Sequence, residues 1–329
     1  MDKKTIWINL DSQKVNLEVI EDTCMEKGYN LIEQDIPSEE SLTVEMALKA
    51  DAIISSAEPW NENTLSKIAG MGKFIMRYGV GTDNIDIPTA TKYKIPVANL
   101  PGANATTVAE IALLHILNIG RFFYHEVHDV KNKSWSSDRL GSELDGKVLG
   151  LIGYGNIARQ LSRLVSGFDI TVIACDPFVN NIGIDFAKKY NVNFVSSMEN
   201  IFSTADIISL HIPLNNQTRG LINKNYFNMM KPTASLVNTC RGGVIHEEDL
   251  IDALKNNKIK YAGLDVLSQE PPQQDNPLLS MSNVYITPHI ASNTYENGVR
   301  SQKIMMETIE SYFNGELTDN VLNKKDLCI

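Results

Sequence analysis

The sequence predicts an α/β protein made of two doubly wound parallel-sheet domains. Three observations carry that expectation. Short apolar runs of strand type alternate with helical patterns along the whole chain. The runs fall into two series, separated by one segment of unusual apolarity. At 329 residues the chain is also too long for one ordinary core.

In the first series, residues 5–10, 51–56, 74–77 and 97–100 read as buried strands. Helical patterns at 18–27, 43–50, 64–69 and 88–93 separate them. The second series begins at Lys147 and runs through six strands, at 148–152, 171–175, 207–210, 235–238, 261–264 and 284–286. Residues 106–123, between the series, read as one helix. Ile111, Ala112, Leu113, Leu114, Ile116, Leu117 and Ile119 leave it almost no solvated face. Such a helix must be buried, inside a domain or against another subunit. The arm after it, with Trp135, reads as loop. The last helix, 294–313, is expected to return to the first domain, because the second already has its strands.

A composition of 43% apolar and 21% charged residues is that of a soluble globular protein. The formal charge of -10, with no Lys/Arg cluster, argues against a nucleic-acid-binding face. No apolar run reaches the length of a membrane span, and the N-terminus leads into a strand pattern without a signal-peptide region. Cys24, Cys175, Cys240 and Cys328 show no CxxC spacing, so neither zinc nor a disulfide framework is indicated. The expectation is a cytoplasmic protein with reduced thiols and no metal.

The strand at 148–152 runs into Gly153-Tyr154-Gly155-Asn156-Ile157-Ala158 and then a helical pattern. This is the GxGxxG/A dinucleotide fingerprint, with alanine in third place. Gly153 permits the tight turn, and Gly155 lets the backbone approach a pyrophosphate. The helix N-terminus at Asn156 and Ile157 offers N–H groups to the phosphates. Asp176 ends the next strand, where a carboxylate can accept both ribose hydroxyls and repel a 2′-phosphate. No Arg or Lys follows before Lys188, so NAD is favoured over NADP. A turn-capping Asp before Pro177 is the plainer alternative.

Three further stretches follow strand patterns directly: Asn238-Thr239-Cys240-Arg241-Gly242-Gly243, Gln269-Glu270-Pro271-Pro272 and Thr287-Pro288-His289-Ile290-Ala291. Ligands of open α/β sheets bind outside the carboxyl ends of the strands. Arg241 can hold a carboxylate and a keto oxygen bidentately, and His289 can shuttle a proton near neutral pH. Singly, each has a plain alternative as an ion-pair partner, a solvated acid or a cap. Together they suit proton transfer beside an anchored carboxylate.

At these residues the chain resembles the D-isomer-specific 2-hydroxyacid dehydrogenase family over nearly its full length. The resemblance also rests on Arg77-Tyr78-Gly79-Val80-Gly81-Thr82-Asp83-Asn84-Ile85-Asp86, Pro101-Gly102-Ala103-Asn104, Val108-Ala109-Glu110 and His211-Ile212-Pro213-Leu214. It implies a Rossmann NAD-binding domain, 104–294, inserted into a discontinuous flavodoxin-like substrate domain, 1–103 and 295–329. It implies a homodimer embraced through the helix and arm at 106–140. In the same terms, His289 would be the general acid, Glu270 its charge partner and Arg241 the carbonyl-polarising clamp. Val80 and Gly81 would cradle the substrate carboxylate, with Asn104 a further substrate or nicotinamide contact. Asp265 would hold the nicotinamide carboxamide beside Thr239 and Cys240, Ile212 and Pro213 would line the adenine pocket, and Thr218 would be a further cofactor contact.

Two positions depart from the family pattern. Cys240 puts a thiol where a small unreactive residue is more usual, and His246 stands where a helix-capping Asp or Asn is expected. His115, His125, His128 and His211 match no catalytic position.

The implied reaction is NAD-dependent interconversion of a small 2-oxoacid and the D-2-hydroxyacid. The substrate stays open among glyoxylate, hydroxypyruvate, 3-phosphoglycerate and other 2-oxoacids. Arg77 and Tyr78 are candidates for the distal end of the substrate, with loop support the alternative for Arg77. The chain stops soon after its last helix, so no regulatory domain of the long phosphoglycerate dehydrogenases is expected. A rival reading is an NAD(H)-sensing binding module like the C-terminal-binding-protein corepressors, which share the fold and can retain the trio.

Overall fold

The computed structural model describes residues 3–10, 16–135 and 138–327, so Cys328 and part of the arm after residue 131 lie outside the described residues. The chain divides into two compact units, Met1–Asn104 with Asn293–Ile329, and Ala105–Ser292.

The first unit carries β1 (Thr5–Ile8), α1 (Glu18–Lys27), β2 (Asn30–Glu33), α2 (Glu40–Lys49), β3 (Ala52–Ser55), α3 (Glu62–Leu65), β4 (Phe74–Arg77), α4 (Ile87–Lys92) and β5 (Val97–Ala98). The five strands form one parallel sheet in the order β2-β1-β3-β4-β5. Both faces are covered, which is why these strands read as continuous apolar runs. Ile6, Ile8, Ile54, Phe74 and Met76 pack towards Ile20 of α1 and Met305 and Ile309 of the last helix. Trp7, Ile53 and Ile75 point the other way, towards Met46 and Ala47 of α2 and Ala90 of α4.

The second unit begins with α5 (Ala105–Arg121) and α6 (Phe123–Lys131). It continues through β6 (Val148–Ile152), α7 (Asn156–Val165), β7 (Thr171–Cys175), α8 (Asn181–Lys189), β8 (Val192–Phe194), α9 (Met198–Thr204), β9 (Ile207–Leu210), α10 (Lys224–Phe227), β10 (Ser235–Asn238), α11 (Glu247–Lys255), β11 (Tyr261–Leu264) and β12 (Val284–Ile286). Its parallel sheet has the order β12-β11-β10-β9-β6-β7-β8. One face packs Ile208, Leu210 and Leu236 on α9 and α11, and the other packs Leu149, Leu151 and Val237 on α5 and α7. The last helix, α12 (Tyr295–Phe313), belongs to the first unit, where Tyr312 stacks on Phe74 at 4.7 Å.

The structure corrects the sequence reading at three places. β2 and β8 were not expected, and the second sheet has seven strands rather than six. Both are edge strands of three or four residues with largely exposed side chains, so neither leaves an apolar run. The single helix expected over 106–123 breaks at Phe122, which takes a left-handed backbone (φ 54). A second helix, α6, follows where loop was expected, at 68° to the first. It has no capping side chain and no buried residue, so the local sequence marks its start poorly. No single helix among the described residues is long and apolar enough to cross a membrane.

Candidate active site

The β6–α7 junction turns at Gly153 with φ +86. A Cβ there would stand 2.6 Å from the His211 carbonyl oxygen, so the close passage of β6 and β9 excludes any other residue. Gly155 precedes the first turn of α7, and a Cβ on it would meet nothing within 4 Å, an open approach to the helix N-terminus. The first-turn N–H groups of Asn156 and Ile157 have no partner within the helix, as at any helix start. Asp176, just past β7, accepts Tyr154 N–H on Oδ2 and Phe178 N–H on Oδ1, each at 2.8 Å. The two bonds orient the carboxylate and leave acceptor capacity on both oxygens.

Ile212 and Pro213 follow β9. The Thr218 hydroxyl donates to Pro213 O at 2.6 Å and accepts Asn215 N–H at 2.8 Å, so it closes its own turn. Continued one residue past the strand ends, the register lines up Gly153, His211, Thr239, Asp265 and Thr287 in a row across the sheet. Thr239 Oγ1 and both His211 ring nitrogens are buried without a hydrogen-bond partner among the described residues. Burial pushes the His211 pKa down to about 3, so the ring is neutral. No chemical role was read for His211 from the sequence, although it opens the stretch His211-Ile212-Pro213-Leu214 on which the resemblance rests. Orphaned polar atoms beside a glycine turn and a helix N-terminus fit a bound dinucleotide.

The three motif residues at the ends of β10, β11 and β12 come together. His289 Nδ1 lies 2.6 Å from Glu270 Oε2, and the other Glu270 oxygen accepts Leu267 N–H at 2.9 Å. Arg241 adjoins this pair, and its charge acts on both groups. Burial opposes the Glu270 charge, but hydrogen bonds from His289 and the Leu267 amide outweigh it and hold its pKa below the ordinary carboxylate value. The Glu270 hydrogen bond raises the His289 pKa above its ordinary 6.5 against the opposing effect of burial. The loops approach so closely because residue 242 lacks a side chain. A Cβ on Gly242 would fall 1.9 Å from the Leu267 carbonyl carbon.

Asp265 is 1% exposed, and its carboxylate accepts three bonds from the neighbouring loop after β12: Thr287 Oγ1 at 2.6 Å, Ile290 N–H at 3.0 Å and Ala291 N–H at 2.9 Å. Asp265, Thr287, Glu270, His289, His115 and Tyr285 line a cavity of about 1030 Å³ that runs along α5 and α6. Cys240 directs its thiol and its N–H to Asn238 Oδ1, both at 3.0 Å. Burial pushes its pKa up to about 11, so it is a protonated thiol at neutral pH. His246, at the start of α11, makes no cap bond and instead lies 3.3 Å from Asp249.

In the first unit, Arg77, Tyr78, Val80 and Gly81 share the loop after β4. Arg77 donates to the carbonyls of Ser55 (3.1 Å), Tyr78 (3.0 Å) and Gly81 (3.0 Å). The Tyr78 N–H goes to Ser55 O, while the Val80 and Gly81 N–H groups meet no acceptor among the described residues. Asn104 ends the first segment of the unit, directly before α5.

The fold and these residues define a dinucleotide-binding α/β protein. Residues 113–291 match the family described as D-isomer specific 2-hydroxyacid dehydrogenase, NAD binding domain, and the chain belongs to that family. It is 38% identical over 256 residues to a D-3-phosphoglycerate dehydrogenase of Methanocaldococcus jannaschii, covering 78% of this chain and 48% of that protein. It is 35% identical over 302 residues to a hydroxypyruvate reductase of Thermotoga maritima, covering 91% and 92%. A glyoxylate reductase structure from Paecilomyes thermophila superposes with a TM-score of 0.87 at 25% identity, covering 98% of this chain and 100% of that one. The chain thus spans about half the length of the phosphoglycerate dehydrogenases it matches. NAD is the cofactor of this domain family, and the residues at Gly153, α7 and Asp176 fit it.

Proposed function

We propose that the protein is an NAD-dependent oxidoreductase that interconverts a small 2-oxoacid and its D-2-hydroxyacid, with His289 as general acid and base. The observation that carries the reading is the 2.6 Å His289–Glu270 hydrogen bond at the strand ends of an NAD-binding domain, beside Arg241. NADH, when bound, supplies the hydride for the keto carbon. With Nδ1 engaged by Glu270, Nε2 is the atom that gives its proton to the keto oxygen. Glu270 holds the imidazolium and fixes the ring, and in the oxidation the same nitrogen takes the proton back. Arg241 polarises the carbonyl with a planar fork of donors.

The Val80 and Gly81 N–H groups support a role in holding the substrate carboxylate. Arg77 is different. Its three carbonyl partners favour loop support over a distal phosphate, and so favour short substrates such as glyoxylate or hydroxypyruvate. A homodimer through α5 and α6 belongs to the same proposal. It is supported by Leu114, Phe123, Tyr124 and Val130, whose large apolar side chains stand exposed there.

The direct test is His289→Ala against a panel of 2-oxoacids with NADH. The rate should fall by about 10²–10⁴-fold, the usual range for general acid–base catalysis, while NADH binding is kept. A variant within about tenfold of wild type would remove His289 as proton donor. No turnover by the wild type on any member would favour an NAD(H)-sensing binding protein instead.

A further inference from the structure

His289 has a left-handed backbone, φ 53, which is uncommon for a residue with a Cβ and costs free energy that its surroundings must offset. The surroundings are specific. Its N–H donates to Asp265 O at 2.9 Å and to Thr287 O at 3.0 Å. The Asp265 carboxylate takes the next two N–H groups, of Ile290 and Ala291, on separate oxygens. Asp265 therefore grips the backbone on the far side of His289 with its side chain, and His289 itself with its carbonyl. Thr287, two residues before His289, grips the carboxylate in turn at 2.6 Å.

The chain of bonds reaches α5. His115, 3% exposed, places Nε2 3.2 Å from Thr287 Oγ1. The Thr287 hydroxyl gives its hydrogen to the carboxylate, so its oxygen is the acceptor and His115 the Nε2–H donor. His115 can come this close because β11 carries glycine beneath it: a Cβ on Gly263 would stand 2.8 Å from the His115 Cβ. Burial lowers the His115 pKa and keeps the ring neutral, the form that leaves Nε2 a plain donor.

We propose that Asp265, Thr287 and His115 are positioning residues that hold His289 in its left-handed conformation and so aim its ring at Glu270. The proposal rests on the reading of His289 as acid–base group. It gives Asp265 work distinct from contact with the cofactor, and it gives His115 a place in the reaction that acts through His289. The three act in series. Without the Thr287 hydroxyl, Asp265 Oδ1 loses one of two donors and His115 loses its acceptor, so the loop relaxes towards an ordinary backbone and the His289–Glu270 bond lengthens.

The test is Thr287→Val, which keeps the shape of the side chain and removes the hydroxyl. With NADH and glyoxylate as the probe, kcat should fall by about 10- to 100-fold, the scale of a misplacement near 1 Å, with NADH Kd within about twofold of wild type. Thr287→Ser should restore most of the rate, and His115→Gln should give a smaller loss in the same direction. Independently of turnover, the His289 ring can be titrated by NMR. The charged groups facing it are Glu270, Arg241 and Asp265. In Thr287→Val its titration should move to lower pH as the Glu270 bond weakens, with His289→Gln identifying the resonance. Wild-type kcat and an unmoved titration in Thr287→Val would overturn the proposal. A loss of NADH affinity matching the loss of rate, with the titration unmoved, would also overturn it and return these residues to cofactor binding. Failure of the underlying reading looks different, because His289→Gln would then turn over normally whatever Thr287→Val does.

Discussion

Two loops at the carboxyl ends of parallel strands, one in each unit, both carry an arginine from a recognisable motif, and the fold spends the two differently. Arg77 turns back on its own loop and donates to three carbonyls, so its guanidinium ties β3 to the turn after β4. Arg241 follows β10 in an extended conformation (φ -150, ψ 138), bonds Cys240 O through one nitrogen at 2.7 Å, and acts on the Glu270–His289 pair. A guanidinium has five donors in a fixed fork and no acceptor. What it binds is decided by the acceptors the fold sets around it, which around Arg77 include three backbone carbonyls. Around Arg241 the Glu270 carboxylate and the His289 imidazole stand near enough for its charge to act on both.

Three substitutions break or sharpen that contrast. Arg241→Lys keeps the charge and loses the fork, so kcat/KM for glyoxylate should drop on the order of 10²-fold with the protein still folded. An equal drop in Arg77→Lys would erase the distinction between the loops.

Glu270→Gln has a middle effect, read in the pH profile. Because Glu270 raises the His289 pKa, the protonated ring that the proposed reduction needs persists above the ordinary value of 6.5 and is lost as pH rises through the raised one. In Glu270→Gln the falling limb of kcat/KM for reduction should move to lower pH, and a limb that stays put would separate the pair. The same sign governs stability. The contribution of the raised His289 pKa is fully present below the unfolded value and fades as pH rises through the folded one. The contribution of the lowered Glu270 pKa is present above its unfolded value and fades as pH falls through the folded one. Both side chains are partly exposed, 46% and 36%, so either contribution is small.

Arg77→Lys should have the smallest effect on catalysis. Lysine cannot span three carbonyls, so thermal unfolding should report a loss of about 1–3 kcal/mol while the glyoxylate KM stays near wild type. A large rise in KM without loss of stability would instead make Arg77 a substrate ligand.

The strands that carry the site were legible because each is a short run of apolar, mostly buried residues. Those at 148–152, 171–175, 207–210, 235–238, 261–264 and 284–286 stand at the residues the apolar runs indicate. Of the edge strands, β5 and β12 carry apolar runs, whereas β2 and β8 expose most of their side chains and so were not legible. The start of α6 was hidden for a related reason, because a left-handed Phe122 leaves no capping residue to read.

By itself the sequence determined the parallel α/β class, the dinucleotide turn at Gly153 and the residue types at the strand ends, because each is a local pattern tied to a backbone requirement. Only the tertiary structure decided which polar groups meet. Hydrogen-bond partners are distant in the chain: Asp265 takes Ala291, 26 residues on, and His115 meets Thr287 across 172 residues. A guanidinium or carboxylate bonds whatever acceptors or donors lie within about 3 Å, and that set is known only once the strands are in register.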